Sequence, residues 1–292
     1  MNKYTASGKL MLFGEYLVLK GSDCLAFPLK FGQALSIGKS DNLKWESYDK
    51  NGMWFHVTMD NNLSILETND PKVAAILRDL FKIIQNEKPS LNLIQQFKAE
   101  ANFELNWGLG SSSTLISLLS QWSGVDSKKL LQSSFGGSGY DVACATAEKT
   151  ILYANGATKK EVHLANSITE HMLFVYLGNK QNSREEIKRF KGAEVEDKDV
   201  STMNSIIKKS IETNNIDEFE KYLNDSENLV SNIIGSEKLK ERLFTDYPYS
   251  IKSLGAWGGD FFLATYRDLE TAKSYFREKE YDTLLTYQEL IK

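Results

Sequence analysis

Residues Asn106-Trp107-Gly108-Leu109-Gly110-Ser111-Ser112-Ser113 stand between a strand-like run, Phe97–Asn106, and an amphipathic helix. Gly108 and Gly110 admit positive φ and let a ligand approach the backbone, because no Cβ intervenes. The serines then open a helix whose first amides have no partner within it and whose dipole favours negative charge. A phosphate suits such a place. Leu115, Leu118, Leu119 and Trp122 supply the apolar face at helical spacing, and Gly124 is placed to end the helix. The alternative is an ordinary strand-to-helix turn with serine caps.

Composition removes several other chemistries. The 292 residues suffice for one large domain or two ordinary ones, and 41% hydrophobic with 25% charged residues fits a soluble globular chain. A net charge of −4 and a pI near 5.6 give no basic face for nucleic acid. Cys24 and Cys144 lie far apart, form no CxxC pair and fit a reducing cytoplasm. His56, His163 and His171 are too scattered for a histidine metal centre. No run approaches the ~18–20 apolar residues of a membrane span. Leu10–Leu19, interrupted by Gly14 and Glu15, is not expected to be a signal peptide.

Strand patterns fill the first sixty residues: Lys3–Phe13, Leu25–Gly38, Leu43–Tyr48 and Met53–Met59, with a hairpin turn at Asn51-Gly52. A helix follows, capped by Asp70 with Pro71 in its first position, its apolar face formed by Val73, Ile76, Leu77, Leu80, Phe81 and Ile84. Gly136–Gly139 leads into a short helix and a strand at Thr150–Tyr153, and the polar stretch Ala154–Lys160 reads as a connection. From about residue 168 come a buried strand at His171–Leu177, a charged stretch at Glu185–Lys198, and helices around Met203–Ile207 and Phe219–Leu223. Strands at Tyr249–Leu254 and Phe261–Tyr266 flank a third glycine turn, before a helix near Asp268–Glu278 and a final strand at Leu284–Ile291. Strands and helices mix without strict βαβ alternation, so the expected class is α+β.

Three glycine turns, each beside a strand, join a lysine on an otherwise apolar first strand. Ala6-Ser7-Gly8-Lys9-Leu10-Met11-Leu12-Phe13-Gly14-Glu15-Tyr16 resembles the first signature of the GHMP small-molecule kinases. Gly108-Leu109-Gly110-Ser111-Ser112-Ser113 resembles their phosphate loop, and Gly137-Ser138-Gly139-Tyr140-Asp141-Val142-Ala143 the segment with their catalytic aspartate. Ser253-Leu254-Gly255-Ala256-Trp257-Gly258-Gly259-Asp260 resembles the third signature. The four occur in the family's order, and their details are most similar to phosphomevalonate kinases, with mevalonate kinases close behind; Gly139-Tyr140-Asp141-Val142-Ala143 also resembles the Gly-Tyr-Asp-(Ile/Val)-Ala signature of a small bacterial subset of GHMP kinases without an assigned substrate.

The resemblance implies a two-domain GHMP kinase fold: an N-terminal domain like the second domain of ribosomal protein S5, residues 1–167, and a ferredoxin-like C-terminal domain, residues 168–292. It implies ATP and Mg²⁺ as cofactors and a small-molecule acceptor, most naturally mevalonate 5-phosphate or mevalonate. The nucleotide would lie on Gly108, Leu109, Gly110, Ser111, Ser112 and Ser113, with the Ser112 hydroxyl on the metal. Asp141 would act as a base or an orienting carboxylate, with Lys9 beside it. Glu15, Ser138, Gly139, Ser183, Gly255, Ala256 and Gly258 would line the acceptor site, with Arg184 beside Ser183. No nucleic acid or membrane is expected as a partner, and a homodimer is left open.

The chain departs from the family pattern in four places, one of them a short spacing between the phosphate loop and Asp141. Lys128–Ser134 lacks the acid that usually precedes the catalytic aspartate, so magnesium would rest on Ser112, phosphates and water. Trp257 replaces a glycine, and Ser113-Thr114 replaces two small apolar residues. A diphosphomevalonate decarboxylase, or a nucleotide-binding protein without turnover, are the alternatives.

Overall fold

The computed structural model describes residues 2–154, 156–178, 190, 194–255, 257 and 260–292. The chain forms two compact units, each assembled from several stretches. One comprises Met1–Gly8, Phe31–Leu105 and Leu109–Thr146; the other comprises Lys9–Lys30, Asn106–Gly108 and Ala147–Lys292. Strands β1 (Asn2–Phe13) and β2 (Cys24–Lys39) contribute residues to both.

In the first unit the later part of β2 pairs antiparallel with β6 (Gln95–Ala101). β6 runs parallel to β3 (Leu43–Asp49), followed outward by β4 (Gly52–Met59) and β5 (Ile65–Thr68). The β3–β4 hairpin turns at Asn51-Gly52 as expected, with Asp49 opposite Gly52. Helix α1 (Pro71–Glu87) starts where the sequence indicates: the Asp70 carboxylate accepts from the amides of Lys72 and Val73. It buries Leu77, Leu80, Phe81 and Ile84, and Phe97 of β6 meets the Phe81 ring at 5.2 Å and Trp122 at 4.7 Å. Trp122 belongs to α2 (Ser111–Ser123), which Gly124 ends in the left-handed conformation. Helices α3 (Ser127–Gln132) and α4 (Tyr140–Ala145) add Leu130, Leu131 and Val142 to this core.

In the second unit the start of β2 pairs with β7 (Ile151–Ala154), which forms a hairpin with β8 (Ala157–Glu161). After the short helix α5 (Asn166–Thr169) come β9 (Met172–Tyr176), α6 (Asp197–Glu212), α7 (Ile216–Ile234) and α8 (Leu239–Leu243). The chain then runs through β10 (Ile251–Ser253), β11 (Phe261–Thr265), α9 (Leu269–Glu278), β12 (Leu284–Thr286) and α10 (Tyr287–Leu290). The antiparallel sheet has the order β10-β11-β9-β12. That places the strands second, third, first, fourth, the ferredoxin-like arrangement of a split βαβ unit. Its core gathers Leu173, Val175, Phe244, Phe262 and Phe276.

Three expected boundaries are corrected. The stretch read as a connection, 154–160, contains β8, whose backbone pairs with β7 while its Thr158 and Glu161 side chains stay exposed. An edge strand with one wet face needs little apolar patterning. The first unit's β6 stops at Ala101, and Leu105–Trp107 is a 3-10 turn rather than strand. The final run divides at Thr286, where the Thr286 and Glu289 side chains form a capping box that starts α10. Among the described residues no helix is long and apolar enough to cross a membrane. Cys24 and Cys144 are buried.

Candidate active site

In the second unit the base of the first glycine turn, Asn106–Gly108, is fixed to the ferredoxin-like sheet. The Trp107 ring packs edge-on to Phe261 of β11 at 5.8 Å, and the Tyr176 hydroxyl of β9 donates to the Asn106 carbonyl at 3.0 Å. Gly108 follows with φ +69°. A Cβ built on it falls 2.1 Å from the Asp260 carboxylate, so any side chain there would have to displace that carboxylate. The Lys9 ammonium donates to the Gly108 carbonyl at 3.4 Å. Lys9 from the first signature and Asp260 from the third thus meet the same glycine.

In the first unit the loop continues through buried Leu109 into Gly110, which caps α2 with φ +95° and no side chain to accept from the helix amides. The Ser113 hydroxyl turns back and donates to the Gly110 carbonyl at 2.8 Å, as do the Thr114 hydroxyl and amide at 3.1 and 3.0 Å. Ser111 is half-buried and Ser112 exposed. The serine-cap alternative therefore does not describe this turn: the first-turn amides are left to water or a ligand. A helix of 13 residues with an uncapped N-terminus fits a phosphate chain. Among the described residues no cluster of three His, Cys, Asp or Glu side chains is arranged to hold a metal. A hard cation held through the Ser112 hydroxyl would draw its other ligands from phosphate oxygens and water.

Gly136, Gly137 and Gly139 all have positive φ, and the Gln132 side chain donates to the Gly137 carbonyl at 3.2 Å. Buried Gly139 caps α4 and half-buried Ser138 precedes it. Asp141 is the second residue of that helix, half-buried, its Oδ1 accepting from the Val142 amide at 3.0 Å. It is therefore not the helix cap.

The third turn leaves β10 at Ser253 and passes Gly255 at φ +62°. Trp257 and Asp260 hold φ of +44° and +53°, conformations that L residues keep only where their surroundings enforce them. The Trp257 side chain is buried, and the Asp260 carbonyl accepts from the Leu177 amide at 2.8 Å. Ser183, Arg184, Ala256 and Gly258 lie outside the described residues.

Glu15, expected at the acceptor, is placed differently. Its side chain is 0% exposed and accepts from Lys252 Nζ at 2.5 Å. Glu227 of α7, 2% exposed, completes the cluster 3.4 Å from the same ammonium. Burial pushes the Glu15 carboxyl up despite Lys252. Burial also pushes Glu227 up to about 7, partly offset by Lys252. For Lys252, burial acts to release the proton, but Glu15 and Glu227 outweigh it and hold the ammonium above its usual range. Sequence reading missed Lys252 and Glu227. The available signal was a glutamate beside the helical apolar stripe Phe219, Leu223, Val230, and a lysine inside a buried strand.

No family model matches the sequence, and no curated protein is recognisably similar to it in sequence. Solved structures are similar over almost the whole chain. Streptococcus pneumoniae phosphomevalonate kinase, in complex with phosphomevalonate and AMPPNP, superposes with a TM-score of 0.75 at 16% identity, covering 98% of this chain and 100% of its own. Methanococcus jannaschii mevalonate kinase gives 0.70 at 16% identity over 97% and 96%. Lactococcus lactis galactokinase, complexed with galactose, gives 0.71 at 11% identity over 97% and 92%.

Proposed function

We propose that this chain, which has the fold of the GHMP small-molecule kinases, transfers the terminal phosphoryl group of ATP to a small acceptor. The observation that carries the reading is the meeting at Gly108 of Lys9 and Asp260, residues from the first and third signatures. The uncapped start of α2 supports it from the nucleotide side. Mevalonate 5-phosphate and mevalonate are the acceptors we propose first, in line with the closest motif details and with the phosphomevalonate bound by the pneumococcal neighbour. The division of labour in this proposal runs near residue 167, with a nucleotide-binding domain before it and a ferredoxin-like domain after it. A reducing cytoplasmic setting is in keeping with two buried cysteines far apart in the sequence.

Phosphoryl transfer asks for positioning and charge neutralisation more than covalent chemistry from the protein. Backbone amides from Gly108 to Ser113 would hold the phosphates, and Ser112 would hold Mg²⁺, which supplies charge neutralisation when bound. Lys9 offers a positive charge beside the loop for the charge that develops on the transferred group. Asp141 would orient the acceptor oxygen and, for an alcohol, take its proton as the oxygen–phosphorus bond forms and the bond to ADP breaks. Ser138, Gly139, Ser183, Gly255, Ala256 and Gly258 remain the proposed acceptor surroundings.

ADP release measured over mevalonate, mevalonate 5-phosphate, mevalonate diphosphate, homoserine, galactose and shikimate tests the reading. ADP formed only with one acceptor, together with the phosphorylated product, is the expected result. Release of CO₂ from the diphosphate would replace it with the decarboxylase reading, and nucleotide binding without ADP from any acceptor would replace it with a binding protein.

A further inference from the structure

We infer that Glu15, Lys252 and Glu227 are positioning residues, a buried ion cluster that fixes Ser253 and thereby the start of the third glycine turn. The inference rests on the reading above in one respect, that this turn faces the acceptor. Every polar group of Ser253 is held by the cluster. Its amide donates to Glu227 Oε1 at 3.0 Å, its hydroxyl to Glu227 Oε2 at 3.1 Å, and its carbonyl accepts from Lys252 Nζ at 3.1 Å. Gly255 follows two residues later, at a φ of +62°.

The three charges come from three places in the sequence: the end of the first signature, α7 and β10. With side-chain exposures of 0%, 0% and 2%, none reaches a ligand directly. They act through Ser253. Stability alone does not account for such a cluster, because well-packed apolar residues commonly do as well or better than a buried ion pair. What the charges supply is geometry, since each occupies directional bonds that an apolar side chain does not make.

The cluster also has one carboxylate more than it has ammonium groups, and Glu15 Oε2 has no hydrogen-bond partner among the described residues. A cavity of about 100 Å³ adjoins Glu227, lined by Asn224 and Asn228 of α7, Lys238, Lys240 and Glu241 at α8, and Ile251. The groups that face Glu227 are therefore Lys252 and Glu15 within the cluster, and Lys238, Lys240 and Glu241 across the cavity. Burial places the Glu227 proton at about 7. As a carboxylate, Glu227 accepts from both Ser253 donors. Once protonated, it accepts them less strongly, and the grip on the turn loosens.

The test compares the full-length wild type with Glu227→Gln by kinetics against pH and by amide hydrogen exchange over residues 250–262. The variant is expected to raise the acceptor KM about tenfold, the equivalent of one lost hydrogen bond to a charged group, with kcat and the ATP KM within about twofold. It is also expected to flatten the dependence of acceptor KM on pH near 7 and to speed exchange at Ser253 and Gly255. A folded variant with the wild-type pH profile and wild-type exchange overturns the inference. If the wild type phosphorylates no acceptor, the kinase reading fails while the exchange comparison still decides the cluster. If the variant does not fold, exchange in the wild type decides: protection at Ser253, corrected for intrinsic rate, that weakens below about pH 7 supports the cluster, and flat protection overturns it.

Discussion

Gly108 carries two constraints at once. Its φ of +69° costs an L residue roughly 1–2 kcal/mol, and its missing Cβ leaves the space that the Asp260 carboxylate occupies. Gly108→Ala is therefore expected to lower stability by more than the conformational cost alone, read by urea unfolding. In Gly108→Ala/Asp260→Ala the steric part should return and the conformational part persist. A double variant no more stable than the single one would show that Asp260 does not set the glycine requirement. The Gly108 signal is legible in the sequence as a glycine in a phosphate-type loop. Its reason is not, because Asp260 lies 152 positions away and the contact exists only after folding.

At the scale of elements, legibility follows the strength of local chemistry. Asp70 and Pro71 announce α1, and Asp70→Ala is expected to cost about 1 kcal/mol in chemical unfolding, the usual loss for an N-cap that accepts two amides. No measurable change would mean that the cap is redundant. Long periodic faces such as those of α1 and α7 are readable for the same reason, since burial of one stripe dictates their spacing. Short elements are not: β5, α3 and α8 have four to six residues, too few to develop a period. β8 escapes notice because hydrogen bonds to β7, not apolar residues, define it. In the Gly110 turn the serines suggest caps, but Ser113 turns its hydroxyl to the Gly110 carbonyl and leaves the amides uncovered.

At the scale of the whole molecule, the Glu15–Lys252–Glu227 cluster shapes the response to charge and pH. Its members stand at positions 15, 227 and 252, and no local pattern links them. Lys252→Met leaves two buried carboxylates without their cation, and a loss of about 3–5 kcal/mol is expected in urea unfolding. A loss under about 1 kcal/mol would contradict the desolvation on which the cluster depends. Glu227 binds its proton more tightly in the folded chain, at about 7 against 4.5. A raised carboxyl favours the folded state most at low pH, and that contribution falls as pH climbs from about 4.5 to 7, by up to roughly 1.4 kcal/mol per unit. Glu227→Gln does not titrate, so the wild-type-minus-variant stability should decline through this window and level off above it. A difference constant from about pH 5 to 8 would contradict the raised proton affinity.

In the proposed reaction, Lys9, Asp141 and the glycine turns serve one phosphoryl transfer. The most direct measurement is acceptor-dependent ADP release by the wild type beside Lys9→Met and Asp141→Asn, with folding checked by thermal melting. We predict that both variants fold and bind nucleotide, while turnover falls by ~10²–10⁴, the scale of a positioned charged group. Near-wild-type turnover in both variants would contradict the account.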